Sequence, residues 1–102
     1  MRRPVASIRA RLKWLPELEG GRKSPPSAGY CTPARFASEY DKWPEEAWSL
    51  YISKVLELQC DGKMEAEIKF LMPNAPMHLL SPGSEFELLE GDILVAKGVV
   101  VE

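Results

Sequence analysis

Two thiols and one imidazole are among the side chains of this sequence that could act as nucleophile or base. Cys31 and Cys60 are its two cysteines, and His78 is its single histidine. A nucleophilic thiol needs a base within hydrogen-bond reach, and no Ser or Cys motif accompanies His78, which follows Met77. We therefore interpret His78 as a loop residue and predict no catalytic residues. Both thiols are expected to be reduced, with a disulfide as the alternative.

Pairs of carboxylates also occur, but the two members of each pair are two residues apart, which is the spacing of side chains on one face of a strand. Glu65 and Glu67 alternate with apolar residues, as do Glu85 and Glu87, so each pair falls on one outward strand face. A solvated face explains this pattern, and it does not define the acid and nucleophile of a glycosidase. The cysteines lack the CxxC spacing of metal sites. We predict that the chain is not an enzyme and needs no metal or cofactor.

Basic residues form the remaining candidate site. Residues 1–36 carry a net charge of +6 and the remaining residues −8, which gives −2 overall. Such asymmetry marks either a basic face for an anionic partner or two halves that neutralise each other in a closed barrel. We favour neutralisation and keep the basic face as the alternative. Its candidate residues are Arg9, Arg11 and Lys13 together with Arg22 and Lys23.

Alternation of apolar and polar residues predicts most of the strands. From Ala6 to Trp14, apolar residues fill one face and Ser, Arg and Lys fill the other, as in a half-buried strand. The same period of two runs from Met64 to Phe70 and from Glu85 to Leu88. Residues 93–101 are rich in β-branched and small residues, as expected of a strand in a barrel wall.

Less regular segments supply the other elements. Tyr30 to Phe36 reads as a short strand that Pro33 should confine to a sheet edge or a bulge. Residues 43–59 fit a strand or a helical first turn followed by a strand, and we choose a strand. Asp61-Gly62 predicts a two-residue hairpin loop. Ser81-Pro82-Gly83 predicts a turn.

Length and composition indicate one domain. A chain of 102 residues suffices for one hydrophobic core but not for two. Six short strands without a long helix favour an all-β domain over residues 1–102, a small six-stranded antiparallel barrel closed so that no edge is exposed. No window approaches the about 18 consecutive apolar residues of a membrane span, and no signal peptide is recognisable. We expect a cytoplasmic protein without a membrane anchor.

Two separated motifs of this chain resemble one family. They comprise Glu19-Gly20-Gly21-Arg22-Lys23-Ser24-Pro25, Gly29-Tyr30 and Pro33, then Phe86, Glu90-Gly91, Val95 and Gly98-Val99-Val100. The first is similar to the segment that opens the third, C-terminal domain of elongation factor Tu, where E-G-G-R-x-[ST]-P precedes G-Y-R-P-Q-F. The second resembles the closing hairpin of that domain, R-F-A-I-R-E-G-G-R-T-V-G-x-G-V-V. The motifs occur in the family's order, and the resemblance spans nearly the whole chain.

The resemblance implies a six-stranded antiparallel barrel. In the family this barrel packs with a second barrel and a GTP-binding domain to hold aminoacyl-tRNA, and its T-stem contacts fall on Arg22, Glu90 and Gly91 here. Glycines let a backbone approach closely and arginine offers a bidentate fork for phosphate. The alternative is that Gly20 and Gly21 only shape a turn and Arg22 is solvated. Without a GxxxxGK[ST] loop, the chain is expected not to hydrolyse GTP.

Several positions depart from the family pattern. Cys31 stands where the family has arginine, and Ala34-Arg35 stands where it has Gln-Phe. In the closing hairpin, Leu89 replaces an arginine and Asp92-Ile93 replaces Gly-Arg, so the tip bears acids that repel phosphate. We therefore predict a stand-alone, non-catalytic binding module of translation-factor type. A protein partner is favoured, and tRNA or ribosomal RNA is the alternative.

Overall fold

The described residues form a closed barrel of six antiparallel strands. The computed structural model describes residues 8–16, 18, 20–21, 24–38, 47–72 and 74–101. Neighbouring strands follow the order β1-β4-β3-β2-β5-β6, and β6 pairs with β1. The predicted all-β barrel is thus confirmed. Its strands are β1 (Ile8–Trp14), β2 (Cys31–Phe36), β3 (Trp48–Leu58), β4 (Lys63–Phe70), β5 (Glu85–Glu90) and β6 (Ile93–Val100), with a 3₁₀ helix (Met77–Leu80) before β5.

The strand order gives the barrel two different ends. The β3–β4 and β5–β6 turns lie at one end, which we call the hairpin end, together with the connection from β1 to β2. The opposite end, which we call the helix end, holds the connection from β4 to β5 and its 3₁₀ helix. Ala75, Leu79 and Leu80 of that connection are buried in the core. The helix was not predicted from the sequence, whereas the turn at residues 81–83 is confirmed by a 3.0 Å hydrogen bond from the Ser84 N–H to the Ser81 carbonyl.

The interior is filled by pairing large residues with small ones across neighbouring strands. Trp14 of β1 lies opposite Ala96 of β6, and Phe86 of β5 lies opposite Gly98 of β6. A Cβ atom on Gly98 would stand 2.5 Å from the Phe86 ring and 2.8 Å from the Leu12 side chain. Small barrels commonly alternate large and small residues in this way to fit a narrow interior. Gly98 is therefore required by packing.

Gly98→Ala should destabilise the barrel by about 1–3 kcal/mol, because the added methyl group overpacks the interior. Urea denaturation measures this loss. The double variant Gly98→Ala, Phe86→Leu should lose less stability than the sum of the losses in the two single variants, because the smaller leucine side chain leaves space for the added methyl group. Additive losses would contradict the packing explanation.

β2 lies inside the sheet, contrary to the expectation that Pro33 confines it to an edge or a bulge. β2 pairs with β3 over residues 31–34 and with β5 over residues 34–36. Neither ladder contains a register shift over these residues. The expectation was wrong because it assumed that no other group could donate the hydrogen bond that proline, which lacks an N–H, cannot make.

The side chain of Thr32 supplies the missing donor. The Tyr30 carbonyl accepts a 2.9 Å hydrogen bond from Ile52 of β3. Successive residues of a strand direct their backbone polar groups to opposite neighbours, so residue 33 faces β5. Pro33 has no N–H to donate there, and the Thr32 hydroxyl donates to the Leu89 carbonyl of β5 instead. Thr32 is the one buried polar residue in the described part of the chain, at 5% exposure.

Thr32→Val should destabilise the protein by about 1–3 kcal/mol, because it keeps the side-chain shape but removes the donor to a buried carbonyl. Thr32→Ser, which keeps the hydroxyl, serves as the control and should retain more stability. Both are measured by chemical denaturation. A valine variant as stable as the serine variant would show that this hydrogen bond contributes nothing.

The β3–β4 turn differs from the two-residue loop predicted at Asp61-Gly62. The Gly62 N–H donates to the Gln59 carbonyl at 3.1 Å, so the turn is centred on Cys60 and Asp61. A type I′ loop would need positive φ at both Asp61 and Gly62. Gly62 has it, at +92°, and Asp61 does not. The hairpin itself is confirmed, with a longer turn than expected.

The other predicted strands agree with the structure within its described ranges. β1, β4 and β5 match their alternating segments, although residues 6 and 7 lie outside the described part, and β6 matches the segment rich in β-branched and small residues. A strand is confirmed over Trp48–Leu58, whereas residues 43–46, where a helical turn was the alternative, are not described. β3 contains two register shifts against β4, between Ile52 and Lys54 and between Val55 and Glu57. These bulges add two residues to β3.

Candidate functional site

Three lysines lie side by side on the outside of the barrel. Lys13 of β1 is directly opposite Lys63 of β4 on one side and Lys97 of β6 on the other. We call these three residues the lysine row, and all three are exposed. Residues directly opposite in an antiparallel pair have Cβ atoms about 4.5–5.5 Å apart. The register therefore holds three positive charges close together.

The lysine row borders a groove of 920 Å³ on the barrel surface. The groove is lined mainly by β1, β4, β5 and β6, with contributions from β2 and β3. Val99 of β6 adds an apolar residue to the lining. The charged lining residues have both signs: Arg11, Lys13, Arg35, Lys63 and Lys97 are basic, and Glu57, Glu65, Glu85 and Glu87 are acidic.

Asp61 is the counterion at one end of the lysine row. Lys13 Nζ donates to the Asp61 carbonyl at 2.5 Å, and Lys63 Nζ lies 3.8 Å from Asp61 Oδ2. Asp61 Oδ1 also accepts a 3.1 Å hydrogen bond from the Lys63 backbone N–H. That hydrogen bond, followed by the charges of Lys13 and Lys63, lowers the pKa of Asp61 from its usual value of 3.8.

Lys97 is the open end of the row. Glu87 of β5 lies opposite Lys97, but the Glu87 carboxylate is held by Arg35. Its Oε1 atom accepts hydrogen bonds from Arg35 Nε at 2.8 Å and from Arg35 Nη2 at 2.6 Å. In the described ranges, Lys97 makes no ion pair. Within the described part of the chain, Lys97 is thus an ammonium group with no carboxylate in ion-pair contact.

The basic face along β1, which was the alternative to neutralisation, is interrupted by acidic residues of β4. Arg9 lies opposite Glu67 and forms an ion pair with Glu65 at 3.8 Å. Arg11 lies opposite Glu65. The favoured expectation, that the two halves of the chain neutralise each other, therefore holds for this part of β1. Among the basic residues of β1, Lys13 is the one that lies opposite other basic residues.

Of the other predicted site residues that the structure describes, none is among the residues that line the groove. Arg22 and Lys23 lie outside the described residues. Glu90 and Gly91 lie at the β5–β6 turn, where the Glu90 carboxylate accepts a hydrogen bond from the Tyr30 hydroxyl and Gly91 has a φ of +64°. Glu90 thereby fastens the segment before β2 to the end of β5, a structural contact at the hairpin end.

The paired glycines shape the chain after β1. Gly20 has a φ of +87°, which glycine adopts without a steric penalty. A Cβ atom on Gly21 would stand 2.1 Å from the Leu15 carbonyl oxygen, and the Gly21 N–H donates to the Pro16 carbonyl at 3.0 Å. Both glycines are needed for the path of the chain.

The described residues do not bring the nucleophile candidates together. Cys31 and Cys60 are free thiols, and partial burial raises the pKa of Cys31, which disfavours the reactive thiolate. Cys31 begins β2 at the hairpin end, whereas His78 lies in the 3₁₀ helix at the opposite end. Within the described ranges, no group of three or more His, Cys, Asp or Glu side chains could hold a metal ion. Nor does this part of the chain contain a helix of the length and apolarity needed to cross a membrane.

Asp61 should titrate below 3.8 in an NMR pH titration of its carboxylate. Lys13→Gln should raise this pKa part of the way to 3.8, while Lys54→Gln, on β3 and outside the groove lining, should leave it unchanged. Because the folded-state pKa is lowered, ionised Asp61 stabilises the fold above its usual pKa, and this contribution is lost as the pH falls through the lowered pKa. A pKa at or above 3.8 would contradict the assigned contacts.

Sequence reasoning missed Lys63 and Lys97 as site residues. Both occupy polar positions of strands whose outward faces were recognisable, but their position beside Lys13 depends on the register of β1 with β4 and β6. No local signal in the sequence reports that register.

Comparison with protein-family models and with curated proteins found no match.

Proposed function

We propose that this chain is a non-catalytic binding module that mediates protein–protein contacts through the groove beside the lysine row. The observation that carries this proposal is the mixture of charges in the groove, where five basic and four acidic side chains line one depression. Protein partners present charges of both signs. A nucleic-acid backbone presents negative charge alone. The groove therefore suits a protein surface better.

Acidic residues flank the lysine row on both sides of β1. Glu65 of β4 lies opposite Arg11, and Glu57 of β3 lies opposite Glu65. Glu85 of β5 lies opposite Val99. A phosphate backbone that followed the groove would meet these carboxylates within one or two residues of the lysines. Repulsion there opposes the uniform neutralisation on which backbone binding depends.

The resemblance to the third barrel of elongation factor Tu also supports a binding role, because that barrel acts through surface contacts. A fold alone does not assign a function, so the family membership remains part of the proposal. The separation of Cys31 from His78 supports the absence of catalysis. Two free thiols suit a reducing compartment, and we place the protein in the cytoplasm.

The alternative function is binding of a tRNA or ribosomal RNA backbone. One observation favours it: Lys63 and Lys97 extend the basic surface of Lys13 across two further strands. Adjacent ammonium groups neutralise phosphates and release counterions. Arg22 and Lys23, which lie outside the described residues, belong to the same alternative.

Labelled tRNA should show no salt-sensitive micromolar binding to this protein in fluorescence anisotropy at about 50 mM and about 200 mM salt. The carboxylates of the groove are the reason for this expectation. Micromolar affinity at the lower salt that weakens at the higher salt and with Lys97→Gln would overturn the protein-binding proposal in favour of RNA.

Affinity capture tests the protein-binding role directly. Lys97→Glu should lose a partner that the wild-type protein retains, because it reverses a charge in the groove. Lys54→Glu makes the same change outside the groove lining and should retain the partner. Equal capture by both variants, or no specific capture by the wild-type protein, would count against the groove as the binding site.

A further inference from the structure

We infer that the lysine row binds an acidic peptide segment, with a carboxylate of the partner held between Lys13 and Lys97. This inference rests on the proposed protein-binding function and specifies the chemistry of the partner. It follows from the repulsion within the row, from the contacts of Asp61 and from the open end at Lys97.

The lysine row places like charges where a sheet normally avoids them. Lys13 faces a lysine on each side, and like charges directly opposite each other destabilise a strand pair. The buried residues on either side of Lys13, Leu12 and Trp14, fix the register, so the strands cannot shift to separate the ammonium groups. A bound carboxylate would relieve the repulsion.

Asp61 shows that the row accepts an acidic residue. It contributes a carbonyl to Lys13 and a carboxylate near Lys63, at the turn between β3 and β4. An ammonium group has three donors, so Lys13 retains donors beyond the one that Asp61 uses. The contact of the Asp61 carboxylate with Lys63 is the kind of contact that we propose for a partner carboxylate at the other end of the row.

The other end of the row lacks such a carboxylate in the described structure. Glu87 is the acidic residue opposite Lys97, but two N–H groups of Arg35 hold its Oε1 atom. A carboxylate from a partner would lie beside Lys97 and Lys13, the two members of the row that are opposite each other across β1 and β6.

Strand spacing fits a short extended segment. Neighbouring strands lie about 4.8 Å apart, so three opposed lysines span about 10 Å. In an extended peptide, residues on the same side repeat every ~6.7 Å. Flexible lysine side chains bridge the difference between the strand spacing and this peptide repeat. Glu65 and Glu85, on either side of Arg11 and Val99, would repel a long polyanion. The occupant is therefore a short acidic run.

A fluorescein-labelled peptide that alternates Glu and Ser is the probe, with a peptide that alternates Gln and Ser as its matched control. Anisotropy at about 50 mM salt should show binding of the Glu peptide only, weakening at about 200 mM salt. Lys97→Glu should reduce the affinity about tenfold or more. Lys54→Glu, outside the groove lining, should leave it unchanged.

Thermal denaturation provides a readout that a purely structural role would not give. Lys97→Gln removes the like-charge opposition to Lys13 and breaks no ion pair of the described residues, so it should raise Tm while weakening binding of the Glu peptide. Lys54→Gln should leave binding unchanged. A Lys97→Gln variant in which Tm falls or the peptide affinity is unchanged would overturn the inference.

The inference and the proposed function fail in different ways. If the Glu peptide does not bind the wild-type protein at about 50 mM salt, the inference is overturned, while partner capture sensitive to Lys97→Glu would still support the proposed function. If tRNA binds more tightly than the Glu peptide and depends on Lys97, the row belongs to a nucleic-acid site and both are overturned.

Discussion

The pairing of β1 with β4 and β6 is the constraint on which the rest of this structure depends. It closes the barrel, and it places Leu12 between Met64 and Gly98 in the interior. A slip of one residue would turn every buried side chain of β1 outward. The interior therefore determines what meets on the surface, and Lys13 remains between two lysines because the buried residues allow no other register.

The local pattern of the sequence predicts the strands but not how distant strands meet. Alternation was sufficient for β1, β4 and β5, because a period of two directly reports which side chains face the core. The register shift between β5 and β6 near Leu88, which accompanies burial of Leu88 and Leu89 together, leaves no such signal. The longer β3–β4 turn was missed because Asp61-Gly62 has the composition of a shorter one.

The candidate site was predictable only in part for the same reason. Lys13 was recognised as an outward basic residue, and so were Arg9 and Arg11. Their different environments follow from the partner strand, since β4 presents Glu67 and Glu65 to the arginines but Lys63 to Lys13. The net charge of a segment does not show which of its basic residues lie opposite acidic residues and which lie opposite basic ones. Strand order and register decide which charges cancel, and both are set by contacts between residues far apart in the chain.

The side chain of Thr32 replaces the backbone N–H donor that Pro33 lacks. This dependence of one residue on its neighbour has an evolutionary consequence. The Thr32 hydroxyl donates a hydrogen bond to the Leu89 carbonyl. Pro33 has no N–H group that could do so. A lineage that acquired proline first would pass through an ancestor with an unsatisfied buried carbonyl, whereas one that acquired threonine first would not. Once proline is present, reversion of threonine is penalised. The two positions therefore form an epistatic pair whose order of substitution is constrained.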